Sequence, residues 1–303
     1  MEIRISDWKQ ARDVSRKIRE EVFIREQRVP EALEWDDLDA KATHFLAYDG
    51  RTPVGCARLM PDGHFGRMAV GSSRRHEHWG SRLLHSIERY AQHELHLREL
   101  RASAQVKALP FYQRNGFSAE PGIFDDAGIA HVEIYRAPGA PYGNSVLMPT
   151  EDFTAYRLDS LVAMAGWVEL MLAGRPRSVT LICDSLDHPL WWRRDVLEAV
   201  SRYVRSARHR EFRVYLPFEN SSVVRHPLVR LQSRLGKRLS FFIHSGVSST
   251  VMLSHDWGYL RLAEPGSALG SMNDRATVQR LCDDYSEIFR TARPSREVRR
   301  VTI

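Results

Sequence analysis

The chain has 303 residues, 43% hydrophobic and 27% charged, which is enough apolar material for two ordinary domains and excludes a disordered or fibrous chain. Three widely spaced cysteines, Cys56, Cys183 and Cys282, exclude a disulfide framework and any Cys-x-x-Cys metal site, so a cytoplasmic location is expected. The formal charge of +6 lies entirely in the second half, since residues 1–150 hold 21 basic and 21 acidic side chains; the arginines there are interleaved with acids rather than gathered, which argues against nucleic acid as a partner.

The N-terminal segment has charge but no apolar h-region, and the longest apolar stretch, residues 158–173, is interrupted by Asp159 and Glu169, so neither a signal peptide nor a membrane span is expected. Residues 2–5 read as a strand, 8–23 as a helix, and 26–39 as an irregular acidic segment holding Pro30. Alternation predicts strands at 43–48 and 54–60 around the turn pair Asp49-Gly50, and another at 64–70. An amphipathic helix follows over 81–95, with Leu83, Leu84, Ile87 and Leu95 on one side. Then come a strand at 99–105, a short helix at 107–115 closed by Gly116, and a strand at 130–135. Together they make a mixed β-sheet with helices on both faces, an α+β arrangement within the broad α/β class.

Three prolines and two glycines in APGAPYGNSVLMPT, residues 137–150, break this texture and predict a boundary. The organisation expected is a domain over 1–137, a linker over 138–150 and a second domain over 151–303. In the second domain helices are expected at 151–172, 191–207, 227–235 and 273–291. Strands are expected at 179–183, 212–216, 239–243, 251–254 and 259–263, which argues an open α/β sheet.

The stretch FGRMAVGSSRRHEHWGSRLL, residues 65–84, is a strand end, a tight turn and a helix start. A helix start binds anions, because its first N–H groups lack intrahelical partners and its dipole adds positive charge. Around it stand Val22, Phe23, Glu26, Gln27, Val29 and Pro30, then Asp36, Asp39, His44, Gly55, Ala57, Arg58, Leu59, Arg67, Met68, Ala69 and Val70. Further on are Ala104, Gln105, Phe111, Tyr112, Gly116, Phe117 and His131. In order and spacing these residues resemble the GNAT acyltransferase superfamily over residues 1–137.

The resemblance implies an N-acetyltransferase that passes an acetyl or acyl group from CoA directly to an amine in a ternary complex. It implies acetyl-CoA or another acyl-CoA as co-substrate, a small-molecule or peptide amine as acceptor, no metal, and leaves a homodimer open. It places the thioester along Met68, Ala69 and Val70 and the diphosphate on Arg75, His76, Glu77, His78, Trp79, Gly80 and Ser81. Gln105 takes the place of a cofactor-contacting residue, and Tyr112 that of the acid for the leaving thiolate. Glu26, Asp36 and Asp39 are candidates to bind or activate a cationic amine, and His44 and His131 to line its cleft as base or hydrogen-bond partner, with Glu26 and His44 expected beside Tyr112 as catalytic residues.

The turn departs from the family pattern, Arg/Gln-x-x-Gly-x-Gly/Ala, in which a further glycine commonly follows the first residue. Histidines stand at 76 and 78 in place of glycines. Where such a position needs positive φ, a side chain costs about 1 kcal/mol. Three readings stay open: working acyl-CoA binding with a modified loop, a noncatalytic scaffold or ligand-binding protein on the same fold, and a metal site from His76, His78 and His85.

The second domain is loosely similar to a phospholipase D-like α/β unit but lacks His-x-Lys followed four residues later by Asp, Lys237 being the single lysine beyond residue 150. Asp184 and Asp187 follow a strand where open sheets bind ligands, or they cap the next helix. The pair Trp191-Trp192 is a packing element or part of a binding surface.

Overall fold

The computed structural model describes residues 2–120, 122–139, 155–219, 221–255, 257–263, 266–296 and 298. Residues 140–150 of the expected linker and 151–154 of the expected next helix lie outside these. The described residues divide into two compact units, one from 2–120 with 132–139, the other from 122–131 with those of 155–298.

The first unit begins with β1 (Glu2–Ser6) and α1 (Trp8–Arg19), whose N-terminus is capped by the Asp7 carboxylate accepting from the Gln10 N–H. The helix runs on as a π-helical turn, Glu20–Glu26. The acidic segment is ordered here: α2 (Glu31–Glu34) is followed by a 3₁₀ turn, Asp37–Lys41. Its acids meet buried arginines. Arg19, 1% exposed, donates to Glu34 at 2.5 Å and to both oxygens of Asp39 at 2.8 Å, and Arg58 donates to Asp36 at 2.6 and 2.8 Å and to Asp39 at 2.9 Å. Buried charges survive only when paired in this way.

Next come β2 (Thr43–Asp49), β3 (Thr52–Leu59) and β4 (Phe65–Val70), which with β1 form an antiparallel sheet in the order β1-β2-β3-β4. Both faces are covered, which is why His44 to Ala47 are buried without alternation. Ala11, Ile18 and Val22 of the first helical stretch pack on Leu46, Cys56 and Ala69. On the other side lies α3 (Trp79–His93), burying Leu83, Leu84 and Ile87, with Tyr90 edge-on to Phe45 at 5.7 Å. The chain then forms β5 (Leu100–Gln105), α4 (Leu109–Arg114), β6 (Ser118–Ala119), β7 (Phe124–Asp126) and β8 (Ile129–Arg136). Strand β8 sits between β5 and β6 and also pairs with β7.

The second unit contains β9 (Tyr156–Leu158), α5 (Leu161–Ala173), β10 (Ser178–Ile182), α6 (Pro189–Trp192), α7 (Arg194–Arg205), β11 (Glu211–Leu216), α8 (Ser221–Arg225), α9 (Pro227–Leu235) and β12 (Leu239–Ile243). It ends in β13 (Val251–Ser254), β14 (Gly258–Leu262), β15 (Ala268–Ser271), α10 (Arg275–Asp284), α11 (Ser286–Thr291) and β16 (Arg293–Pro294). One eight-stranded sheet runs β16-β12-β11-β10-β13-β14-β15-β9, parallel across β10, β11 and β12 and antiparallel elsewhere. Helices α10 and α11 lay Val278, Leu281 and Ile288 onto Ile182, Tyr215 and Leu253.

Several expected elements change extent. The helix expected from 151 starts at Leu161, where the Ser160 hydroxyl accepts from the Ala163 N–H, and a strand precedes it. The one expected over 191–207 is divided at Arg193, whose extended backbone (ψ 135°) stops the first turn, and the terminal helix is divided at Tyr285. Among the described residues no helix is long and apolar enough to cross a membrane.

Candidate active site

The first unit's two sheets barely touch. Among the described residues one isolated parallel bridge joins their edges, His64 just before β4 with Arg101 of β5, where the Arg101 N–H donates to the Gly63 carbonyl at 3.1 Å. Past that bridge the rest of β4 has no partner on this edge. On its other edge β4 pairs Val70 with Gly55, Ala69 with Cys56 and Gly66 with Arg58, so Ala57 faces both Arg67 and Met68. This is a β-bulge, and Arg67 adopts φ 48° within it. The Gly71 N–H reaches the Val54 carbonyl at 3.0 Å. Because polar groups alternate edges along a strand, the N–H and C=O of Met68 and Val70 therefore face the gap.

The turn leading from β4 to α3 is left-handed at two positions, His76 (φ 68°) and His78 (φ 63°), the two that the resemblance assigns to glycine. Both rings are exposed. Histidine tolerates this region better than most residues, yet each position carries about 1 kcal/mol of strain. The helix starts at Trp79, two residues earlier than its periodicity suggests, because the indole is buried and its Nε1 donates to Glu77 at 3.2 Å.

Nothing caps this helix. Its first returning N–H is that of Arg82, to the His78 carbonyl at 3.1 Å, so the N–H groups of Trp79, Gly80 and Ser81 have no partner in the preceding turn. Helices α1, α5, α9 and α10 are capped by Asp7, Ser160, His226 and Asp274, and α7 has Asp195 in its first turn. Helix α3 has neither cap nor acid. A β-carbon at Gly80 would lie 3.2 Å from the Phe111 ring and 3.5 Å from Met68 Cε, so the strand, the helix start and α4 converge on this glycine.

Tyr112 follows Phe111 on α4, with ring centroids 6.1 Å from Phe65, 5.0 Å from Phe111 and 5.9 Å from Phe117. Burial pushes its phenol up to about 12, so it is protonated at neutral pH. No signal in the sequence marked Phe111 as the residue that seats α4 against Gly80.

Across the gap the structure joins residues far apart in the chain. Arg75 grips both oxygens of Glu26, at 2.7 and 2.6 Å, and its Nε donates to the Val70 carbonyl at 3.1 Å. The hydrogen bonds from Arg75 hold the Glu26 carboxyl below its usual range, and Glu26 raises Arg75 in return. Beside it Gln105 donates to the Gln27 side-chain oxygen at 2.8 Å. Gln27 carried no chemical role in the sequence reading; the only signal was its place beside Glu26.

The other candidates are engaged locally. His44 is buried against Trp8 at 4.8 Å and its Nε2–H donates to the Asp39 carbonyl at 2.8 Å; burial lowers its basicity. Asp36 and Asp39 are held by Arg58 and Arg19 as described. His131 Nδ1 is bonded to the Ile129 carbonyl at 2.9 Å, with its ring stacked on Phe124.

In the second unit Asp184 accepts from Thr250 and from the Ser185 N–H. Asp184 and Asp187 line a shallow recess with Leu216 and Phe218. Caps for the two helices that begin His-Pro come instead from His188 and His226, which accept from the N–H groups of Leu190 and Leu228. Trp191 is buried and Trp192 is 45% exposed. Cys56 and Cys183 are buried, each thiol pushed up to about 12 by that burial. Among the described residues no three His, Cys, Asp or Glu side chains gather to hold a metal.

The pattern for an acetyltransferase (GNAT) domain matches residues 10–135, and that for a domain of unknown function, DUF7931, matches 160–301. The uncharacterized N-acetyltransferase YjcF of Bacillus subtilis is 35% identical over 123 residues, 39% of this chain and 87% of that protein. Protein ElaA of Escherichia coli is 26% identical over 38% of this chain and 80% of its own length. Among solved structures, an acyl-CoA N-acyltransferase from Pseudomonas aeruginosa superposes with a TM-score of 0.41 at 25% identity, covering 45% of this chain and all (100%) of that one. Matched by the GNAT pattern over residues 10–135 and 35% identical to a relative that it covers along 87% of its length, this chain belongs through its N-terminal part to the GNAT acetyltransferase family.

Proposed function

We propose that the N-terminal domain is an N-acetyltransferase that transfers an acetyl or acyl group from CoA directly to a small-molecule or peptide amine. One observation carries this reading. Helix α3 is left without cap or acidic first turn, and its free N–H groups adjoin the edge of β4 that, among the described residues, has no strand partner past the His64–Arg101 bridge. A diphosphate fits the first feature and a thioester oxygen the second.

In this reading the pantetheine arm lies along β4, and an N–H of Met68 or Val70 donates to the carbonyl oxygen as negative charge develops there. The amine attacks the thioester carbon, the new C–N bond forms, and the C–S bond breaks. Tyr112 gives its proton to the leaving thiolate, a role for which a phenol that stays protonated at neutral pH is suited. The amine's proton passes to water. His44, turned to the Asp39 carbonyl, supports the site rather than takes that proton. The acidic segment neutralises internal arginines, which leaves acceptor recognition to other residues.

Calorimetric titration with acetyl-CoA is expected to give micromolar-range binding. Absence of heat at millimolar acetyl-CoA would overturn the proposal in favour of a noncatalytic scaffold. Double replacement of His76 and His78 by glycine is expected to tighten binding if the side chains obstruct the phosphates; weaker binding would instead make the histidines ligands.

A further inference from the structure

We infer that Glu26 and Gln27 form a strap across the open end of the gap between β4 and β5, and that Glu26 occupies the arginine which the CoA diphosphate would otherwise meet. This rests on the acetyltransferase reading above and adds to it a competitor built into the chain.

The geometry is specific. Strands β4 and β5 run parallel from their bridge at His64 and Arg101, so their far ends, Val70 and Gln105, mark the open side. Arg75 is fixed to the first end through the Val70 carbonyl, and two consecutive residues of the strap reach the two ends: Glu26 to Arg75 and Gln27 to Gln105. The π-helical turn Glu20–Glu26 brings them there, and the chain reverses beyond it at Arg28 (φ 61°), with the Val29 N–H on the Phe23 carbonyl at 2.9 Å.

The pairing at Arg75 is bidentate, the arrangement a guanidinium also offers to phosphate. Carboxylate and diphosphate cannot both take the same two N–H groups. Glu26 is 41% exposed and Arg75 36%, so the exchange needs no unfolding of the core. Entry of the diphosphate would then release Glu26, and the strap would come away from Arg75.

The test compares Glu26→Gln with Glu21→Gln, because Glu21 also acts on Arg75 electrostatically yet makes no contact with it. Both variants remove one negative charge from the neighbourhood, but only the first removes the grip. Acetyl-CoA is expected to bind Glu26→Gln roughly five- to tenfold more tightly than wild type, with Glu21→Gln changed by less than about twofold. Trypsin is expected to cut after Arg25 and Arg28 faster in Glu26→Gln and in the wild-type acetyl-CoA complex than in the free wild type. Equal or weaker binding by Glu26→Gln, an equal gain in both variants, or unchanged cutting in the complex would overturn the strap while wild-type binding upholds the acetyltransferase reading. If neither wild type, Glu26→Gln nor the double glycine variant binds acetyl-CoA, both ideas fall together.

Discussion

Gly80 and Phe111 are in such close contact that a β-carbon on the first would lie 3.2 Å from the ring of the second. That contact sets the start of α3 against α4, and with it the distance between the uncapped N–H groups and Tyr112. Gly80→Val is expected to displace α4 and to cost about 1–3 kcal/mol of stability. Urea denaturation and acetyl-CoA calorimetry on the same preparation check this, and the variant should lose in both. A variant as stable as wild type that binds equally well would remove the packing argument.

The left-handed histidines lend themselves to single replacements. Glycine removes the strain at positive φ but gives back part of the gain through the entropy of the unfolded chain. His76→Gly and His78→Gly are each expected to stabilise the N-terminal domain by roughly 0.5–1 kcal/mol. Alanine at either site should bring no such gain, which isolates backbone geometry from loss of the ring.

Tyr112→Phe keeps the ring among Phe65, Phe111 and Phe117 and removes only the hydroxyl. Turnover with an amine acceptor is expected to fall by about 10²-fold or more, with acetyl-CoA affinity unchanged. Since burial holds the phenol near 12, wild-type turnover should show no alkaline loss from this group below about pH 10. Normal turnover in Tyr112→Phe would pass the acid role to another group.

Arg19 balances Glu34 and Asp39 in an environment where its own side chain is 1% exposed. Arg19→Ala leaves two buried carboxylates short of a partner, and a loss of about 3–5 kcal/mol is expected. Arg19→Lys should recover only part of it, because one ammonium cannot reproduce the three-sided grip. Thermal denaturation of the three proteins side by side gives the comparison.

In the second domain, burial lowers His226 from 6.5 to about 4. The unfolded chain takes up this proton near pH 6.5 and the native chain only near 4, so between those values the unfolded state binds more protons and stability falls as pH falls. The loss reaches about 3 kcal/mol at the lower end and is absent above pH 7. In His226→Asn the side chain still offers the Leu228 N–H an acceptor, and the acid slope of the melting temperature should be smaller than in wild type whatever the baseline. An unchanged slope would assign the acid sensitivity elsewhere.

Strands β2 to β5 stand within two residues of their expected positions because each is long enough for its apolar pattern to register. Strands β6, β7, β9 and β16 have two or three residues apiece, too few for a period, and were not legible. The helix expected over 273–291 hides its division at Tyr285, since the apolar spacing continues through it. At the candidate site the glycine pattern pointed to residues 76 and 78, where positive φ is found. The grip of Arg75 on Glu26 spans 49 residues, and no local spacing encodes a contact of that range. The same holds for the acids at 34, 36 and 39, whose sequence suggests a solvated loop and whose partners come from α1, β3 and β4.

The bulge at Arg67 gives β4 one residue more than β3 needs between Cys56 and Arg58. Exchange of the Arg67 side chain leaves that count intact, whereas deletion of the residue would set Met68 alone against Ala57 and close the bulge, the pairs of Arg58 with Gly66 and of Cys56 with Ala69 being kept. The amides of Met68 and Val70 would still face the gap, but the bend that the extra residue puts into β4 beside them would be lost. The bulge therefore sets the curvature of this strand edge and not which of its amides face the gap.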